Sequence, residues 1–172
     1  MRPKEYAFPV AVEWETGRLV RVHVEGKSEV TVTSPPEFNR TADPSVWSPE
    51  DLFGAAAASC LAVTITGLAE REALPLRSLA VDAVGTVGRR HDGTFGFVRL
   101  EQHVAIATDP GEEQHARTLV EKAEASCLVR VSLDVDVETT VDVSQLSAAS
   151  PGRGSATPDS GAPTTVGASG RR

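Results

Sequence analysis

The chain has 172 residues, 40% of them hydrophobic, enough for one domain with a real core and too many for a disordered chain. Its 24 acidic against 17 basic residues leave a net charge of -7. With no basic stripe, that balance argues against nucleic acid and anionic membrane as partners.

The N-terminus, MRPKEYAFPVAVEWE, carries charges too early for a secretory leader, so a cytoplasmic protein is expected. Tyr6 to Trp14, Leu19 to Val24 and Val30 with Val32 alternate as short strands. Thr16-Gly17 and Glu25-Gly26-Lys27 punctuate them, which predicts an antiparallel meander. The proline-rich stretch SPPEFNRTADPSVW reads as a loop and contains Arg40.

Ser48-Pro49-Glu50-Asp51 opens a helix. Ser48 suits the N-cap, Pro49 the first turn, and two carboxylates sit where the helix dipole favours them. The helix should run to about Ala73, since Pro75 ends it. Its stretch Leu52 to Ala69 carries no charge, as a membrane span would. Its Ala, Gly, Ser and Thr content argues instead for a core helix apolar on all sides.

Leu79–Val87 and Thr94–Thr108 read as strands joined around His91-Asp92-Gly93. A second helix should open at Asp109-Pro110-Gly111-Glu112, with Ala116, Leu119, Val120, Ala123 and Cys127 on one face. Val135 to Val143 alternates with acids as a strand with one wet face. From Ser144 the composition turns to Gly, Pro, Ser, Ala and Thr, which predicts a tail over 144–172 and a domain over 1–143.

Two cysteines in such a chain are buried small hydrophobes or a redox pair. There is no Cys-x-x-Cys, and no histidine stands at metal-ligand spacing from either cysteine. Cys60 sits too deep in its helix for the dipole to lower its pKa, and burial raises it. A reactive Cys60 therefore needs a cation from elsewhere, with Arg40 as the candidate and Arg130 as a rival.

The blocks SPEDLFGAAAASC and AEASCLVRVSL resemble the OsmC/Ohr family of thiol-dependent peroxidases, over roughly residues 8–143. Pro49, Glu50, Leu52 and Cys60 match its first helix, and Ala123, Cys127 and Val129 its second. Leu61 stands where that family commonly has an aromatic, and Leu128 where it often has Pro. The resemblance implies an α+β fold of antiparallel sheets packed on two long central helices, in an intertwined homodimer. It implies reduction of organic hydroperoxides, and of hydrogen peroxide less well, in oxidative or osmotic stress defence. Cys60 would be the attacking cysteine and Cys127 the resolving one. Arg40 would hold the thiolate, or Arg18 or Arg21 as in the Ohr branch, with Glu50 orienting the arginine. No metal or organic cofactor would be needed, and the reductant would be a small dithiol or a lipoyl protein. A non-enzymatic relative that binds a small apolar ligand or senses redox state is the second reading. Glu50 and Cys60 lie ten residues apart, about 15 Å along an unbroken helix, so either the first turn is irregular or two chains meet.

Overall fold

The computed structural model describes residues 4–146. β1 (Ala11–Thr16), β2 (Leu19–His23) and β3 (Val30–Val32) form the expected antiparallel meander. The turn between β1 and β2 needs Gly17, whose φ of 54° lies in the left-handed region. After the loop containing Arg40, α1 spans Pro49–Glu72. The Asp51 amide donates to the Ser48 hydroxyl at 3.0 Å, and the Ser48 amide donates to the Asp51 carboxylate at 2.8 Å. Two orphan amides are thus satisfied reciprocally at the helix start. The helix ends at Ala73, which turns left-handed at φ 54°.

β4 (Leu76–Arg89) and β5 (Phe95–Thr108) form a long antiparallel hairpin around His91–Gly93. α2 covers Glu113–Ser126, a short α3 covers Leu128–Val131, and β6 covers Asp136–Gln145. β6 runs parallel to β5, so this second sheet is mixed where antiparallel sheets were expected. The physical reason is the crossover: α2 and α3 carry the chain back across the sheet, and β6 enters in the direction of β5. β6 includes Ser144 and Gln145, two residues of the expected tail; from 147 that tail lies outside the described residues.

α2 lacks the cap that its sequence suggested. The Asp109 carboxylate is taken by Arg77, at 2.6 and 2.8 Å, and the N-cap position falls on Glu112 with no side-chain hydrogen bond. The charge-assisted fork with a distant arginine outcompetes local capping. α2 nevertheless buries the expected face of Ala116, Leu119, Val120 and Ala123. These pack with Leu61, Ile65, Leu68 and Ala69 of α1 and with Val104 and Ile106 of β5.

Two expectations about the helices change. α1 has 24 residues but α2 only 14, so a single helix is unusually long. α1 is also not enclosed on all sides within its own chain: Leu61 and Ile65 are fully buried, while Val63 is 69% exposed. By length and composition α1 is apolar enough to cross a membrane, although one face of it packs in the core.

The C-terminal end of α1 is tied to α2 by charge. The Glu72 carboxylate accepts from Lys122 at 3.0 Å and pairs with His115 Nε2 at 3.0 Å, while His115 Nδ1 meets Glu112 at 3.1 Å. Hydrogen bonds to Glu72 and then to Glu112 hold the His115 imidazole above its ordinary range. On the outer sheet face, a hydrogen bond to Asp142 raises His103 in the same way. A histidine raised in the folded state contributes stability that is full below its unfolded pKa of about 6.5 and is lost as pH rises through the folded value. The urea midpoint is therefore expected to fall between about pH 6 and pH 8. His115→Gln should flatten that slope, which chemical denaturation across the range measures.

Candidate active site

Cys60 lies on α1, partly buried, and Cys127 is 1% exposed at the junction of α2 and α3. Both are free thiols, and both belong to the packing between these helices. Cys127 is the residue where α2 stops. Its backbone is extended, with ψ 112°, and it also serves as the N-cap of α3. That break turns the first amides of α3, which have no partner inside the helix, toward α1.

Burial pushes the Cys60 thiol up. Hydrogen bonds from the Val129 main chain, the Cys127 thiol and the Leu128 main chain outweigh it, with a smaller contribution from the Thr64 hydroxyl. The net effect places Cys60 below the usual thiol range. Thr64, one turn further along α1, also donates to the Cys60 carbonyl at 2.8 Å. Cys127 goes the other way. Burial pushes it up, the Arg130 main chain lowers it in part, and the hydrogen bond and charge of Cys60 raise it again. The pair is therefore asymmetric. The charged form is favoured at Cys60 and disfavoured at Cys127, whose thiol donates to it.

The remaining predicted residues are distributed differently. α1 is continuous from Pro49, so Glu50 is about 15 Å along the axis from the Cys60 of its own chain. Arg40 is exposed in the loop before α1. Arg18 donates to the Phe38 carbonyl at 3.1 Å, and Arg21 pairs with Glu15 and Glu29. Arg130 pairs with Glu124 at 3.4 Å and reaches Thr139 at 3.4 Å. The single chain thus brings the two cysteines together and leaves Arg40 and Glu50 apart from them. Glu50 instead borders an open cavity of about 570 Å³, with Trp47, Asp51, Gly54, Ala83 and Val84. Its Oε2 is buried and has no hydrogen-bond partner among the described residues.

Sequence reading overlooked four residues here. The amides of Leu128 and Val129 are main-chain groups and leave no residue-type signal. Thr64 was detectable from its spacing four residues after Cys60, which places both on one helix face. Gln102 of β5 is 3% exposed beneath α1 and donates to the Ala57 carbonyl at 3.3 Å, while its Oε1 has no partner. It falls within an otherwise ordinary strand. Among the described residues, no group of three or more His, Cys, Asp or Glu side chains is placed to hold a metal.

Residues 42–142 match the family model described as OsmC-like protein. The chain belongs to the OsmC-like family. It is similar in fold to an OsmC-like protein of unknown function from Vibrio cholerae, at 17% identity and TM-score 0.75, over 80% of this chain and 100% of that one. An organic hydroperoxide resistance protein from Elizabethkingia anophelis has 23% identity and TM-score 0.67, over 84% of this chain and 100% of that one. An organic hydroperoxide resistance protein from Legionella pneumophila has 20% identity and TM-score 0.62, over 83% of this chain and 99% of that one. No curated protein matches the chain.

The main-chain donors lead to a direct test. Proline lacks an N–H but suits the first position of a helix, so Leu128→Pro removes one donor at little expense to α3. Its expected effect is a higher Cys60 pKa than in the control, because one hydrogen bond to the charged form is lost. Leu128→Ala should leave the pKa unchanged. Thiolate absorbance or the pH dependence of alkylation by iodoacetamide, in a Cys127→Ser background for both variants and their control, measures it.

Proposed function

We propose that this chain is a two-cysteine, thiol-dependent hydroperoxide reductase. The observation that carries the reading is the packing of two free thiols, Cys60 of α1 and Cys127 at the end of α2, in one cluster, with the main-chain donors after Cys127 favouring the charged form of Cys60. In the first step the Cys60 thiolate attacks one oxygen of the peroxide. The O–O bond breaks, an S–O bond forms, and the departing alkoxide takes up a proton to leave as the alcohol. Cys60 is then a sulfenic acid. In the second step the Cys127 sulfur attacks Cys60, water leaves, and a disulfide forms. An external dithiol, a small thiol or a lipoyl protein, returns both thiols. No cofactor enters these steps. Organic hydroperoxides are the proposed substrates, because the elements around Cys60 present apolar side chains; hydrogen peroxide would react less well. The setting would be oxidative stress defence in the cytoplasm.

The working unit in this reading is a homodimer. The β1–β3 sheet makes almost no contact with the second sheet or the helices, and Phe8, Val12 and Trp14 are 84%, 59% and 72% exposed. The face of α1 with Val63 is open as well. A second copy laid across these surfaces removes apolar area from water. It also brings Glu50 and Arg40 of one copy to Cys60 of the other. The bare Glu50 Oε2 is then the seat of the guanidinium, and Arg40 holds the thiolate and the departing alkoxide.

Peroxide consumption with cumene hydroperoxide and dithiothreitol tests the chemistry. Cys60→Ser should lose turnover entirely, and Cys127→Ser should accumulate a sulfenic acid that dimedone traps. A wild type that consumes neither cumene hydroperoxide nor hydrogen peroxide would return the protein to the ligand-binding reading. Light scattering tests the assembly: the expected mass is that of two chains, and Val63→Glu should shift it toward one. A wild-type mass of one chain would overturn the dimer.

A further inference from the structure

The two cysteines belong to different helices, so their contact depends on how α1 and α2 slide past each other. The helices run antiparallel: the C-terminal end of α1 meets the first turns of α2, and the middle of α1 meets the end of α2 at Cys127. A slip of one turn is 5.4 Å. Disulfide formation tolerates Cα separations only between about 4.4 and 6.8 Å. A one-turn slip therefore abolishes the reaction.

The apolar seam between the helices opposes such a slip in part. Leu61, Ile65 and Leu68 of α1 meet Leu119 and Val120 of α2, while Ala69, Ala116 and Ala123 leave shorter side chains, with fewer contacts, between them. A polar group at a helix interface specifies register because a slip leaves it unsatisfied. Here that group is Glu72. It is 26% exposed at its side chain and pairs with His115 at 3.0 Å and with Lys122 at 3.0 Å. His115 and Lys122 are two turns apart on α2, so Glu72 is gripped from both directions along that helix. Glu112 holds the far side of the His115 ring at 3.1 Å, which aims Nε2 at Glu72.

We infer that Glu72 is a positioning residue: gripped by His115 and Lys122, it sets the register of α1 against α2 and so delivers Cys127 to Cys60. This inference rests on the peroxidase reading for the step in which it acts, the attack of Cys127 on the Cys60 sulfenic acid with loss of water. Glu72 is about twelve residues, or roughly 18 Å along the helix, from Cys60, so it touches neither the peroxide nor the attacking sulfur and acts on both cysteines only through the register.

The test separates the two steps in one turnover. Wild type, Glu72→Gln and Lys122→Met are mixed with one equivalent of cumene hydroperoxide, and the sulfenic acid is followed by dimedone trapping and mass spectrometry. The expected result is a sulfenic acid that lives about twofold to thirtyfold longer in both variants, the range seen for mutations that act on a site from a distance. At alkaline pH, where Cys60 is a thiolate in every variant, formation of the sulfenic acid should stay at the wild-type rate; at neutral pH it should slow, because the same register brings the Leu128 and Val129 amides to Cys60. The charge-exchanged double variant Glu72→Lys with Lys122→Glu should recover part of the lifetime. A merely structural role lowers the melting temperature without separating the two steps. An unchanged lifetime in both folded variants overturns the inference. A second readout is independent of peroxide: titration of the Cys60–Cys127 disulfide against dithiothreitol. It should be easier to reduce in Glu72→Gln than in wild type, and equal stability again overturns the inference. If wild type forms no sulfenic acid, the peroxidase reading fails, and the titration alone decides whether Glu72 sets the approach of the two thiols.

Discussion

A sulfur atom keeps a negative charge inside a protein only where donors reach it, and here the donors belong to one short break in the chain. Cys127 stops α2 in an extended conformation, and α3 begins immediately after it. The same residue therefore supplies its own thiol and exposes the amides of Leu128 and Val129 to Cys60. Were α2 to continue for one more turn, those amides would bond to carbonyls within the helix. The break thus joins two functions: it places the second sulfur, and it lowers the first. Burial works against both thiols, but only Cys60 receives enough donors to overcome it. The division of labour between two identical side chains comes from backbone geometry.

That geometry needs α1 to lie at one height, and the sequence of α1 is ordered to achieve this. Its N-terminal end is capped by the reciprocal Ser48–Asp51 hydrogen bonds, which satisfy its own first amides, and its C-terminal end is held by Glu72 against α2. Between these polar ends the helix is uncharged from Leu52 to Ala69. Apolar packing against Leu119, Val120 and Ile106 fills that middle stretch, and the charged contact at Glu72 adds to the register that this packing favours.

Local signals were the legible part of this fold. The Ser48 cap, the end of α1 before Pro75, the hairpin around Gly93 and the buried face of α2 all arise between residues a few positions apart, and the sequence displays them directly. The misreadings share an opposite origin. Asp109 looks like a cap until Arg77, thirty-two residues earlier, takes its carboxylate. β6 carries the alternation of any half-wet strand, and that pattern does not record whether its neighbour runs with it or against it. α3 is four residues of ordinary composition whose existence follows from where α2 stops. In the site, both cysteines were recognisable from their helices and from the family resemblance. The amides that tune Cys60 were not, because a main-chain donor looks the same in every sequence. Arg40 and Glu50 belong to a different level again, since an unbroken α1 separates Glu50 from its own Cys60, and it is the proposed second copy that would offer them another Cys60.

Two defects of the single chain bear on that assembly, and they are physically unrelated. One is apolar: Phe8 before β1, Val12 and Trp14 on β1, and Val63 on α1 stand in water. The other is electrostatic: Glu50 Oε2 is buried beside an open cavity without a donor. An unsatisfied buried polar atom costs about 1–3 kcal/mol, and more when it carries charge. Repacking side chains within the chain could cover apolar area, but it would not supply a cation to Glu50. A ligand cation could satisfy Glu50, but it would leave the β1–β3 sheet bare. A second copy of the chain, as proposed, would address both defects at once, because it would bring apolar surface and arginine side chains on the same body. The same step would close a pocket over Cys60 and exclude water from it, which strengthens every hydrogen bond that holds the thiolate. In this reading dimerisation and activation of the sulfur are one event, and the long uncharged helix is the surface through which they are coupled.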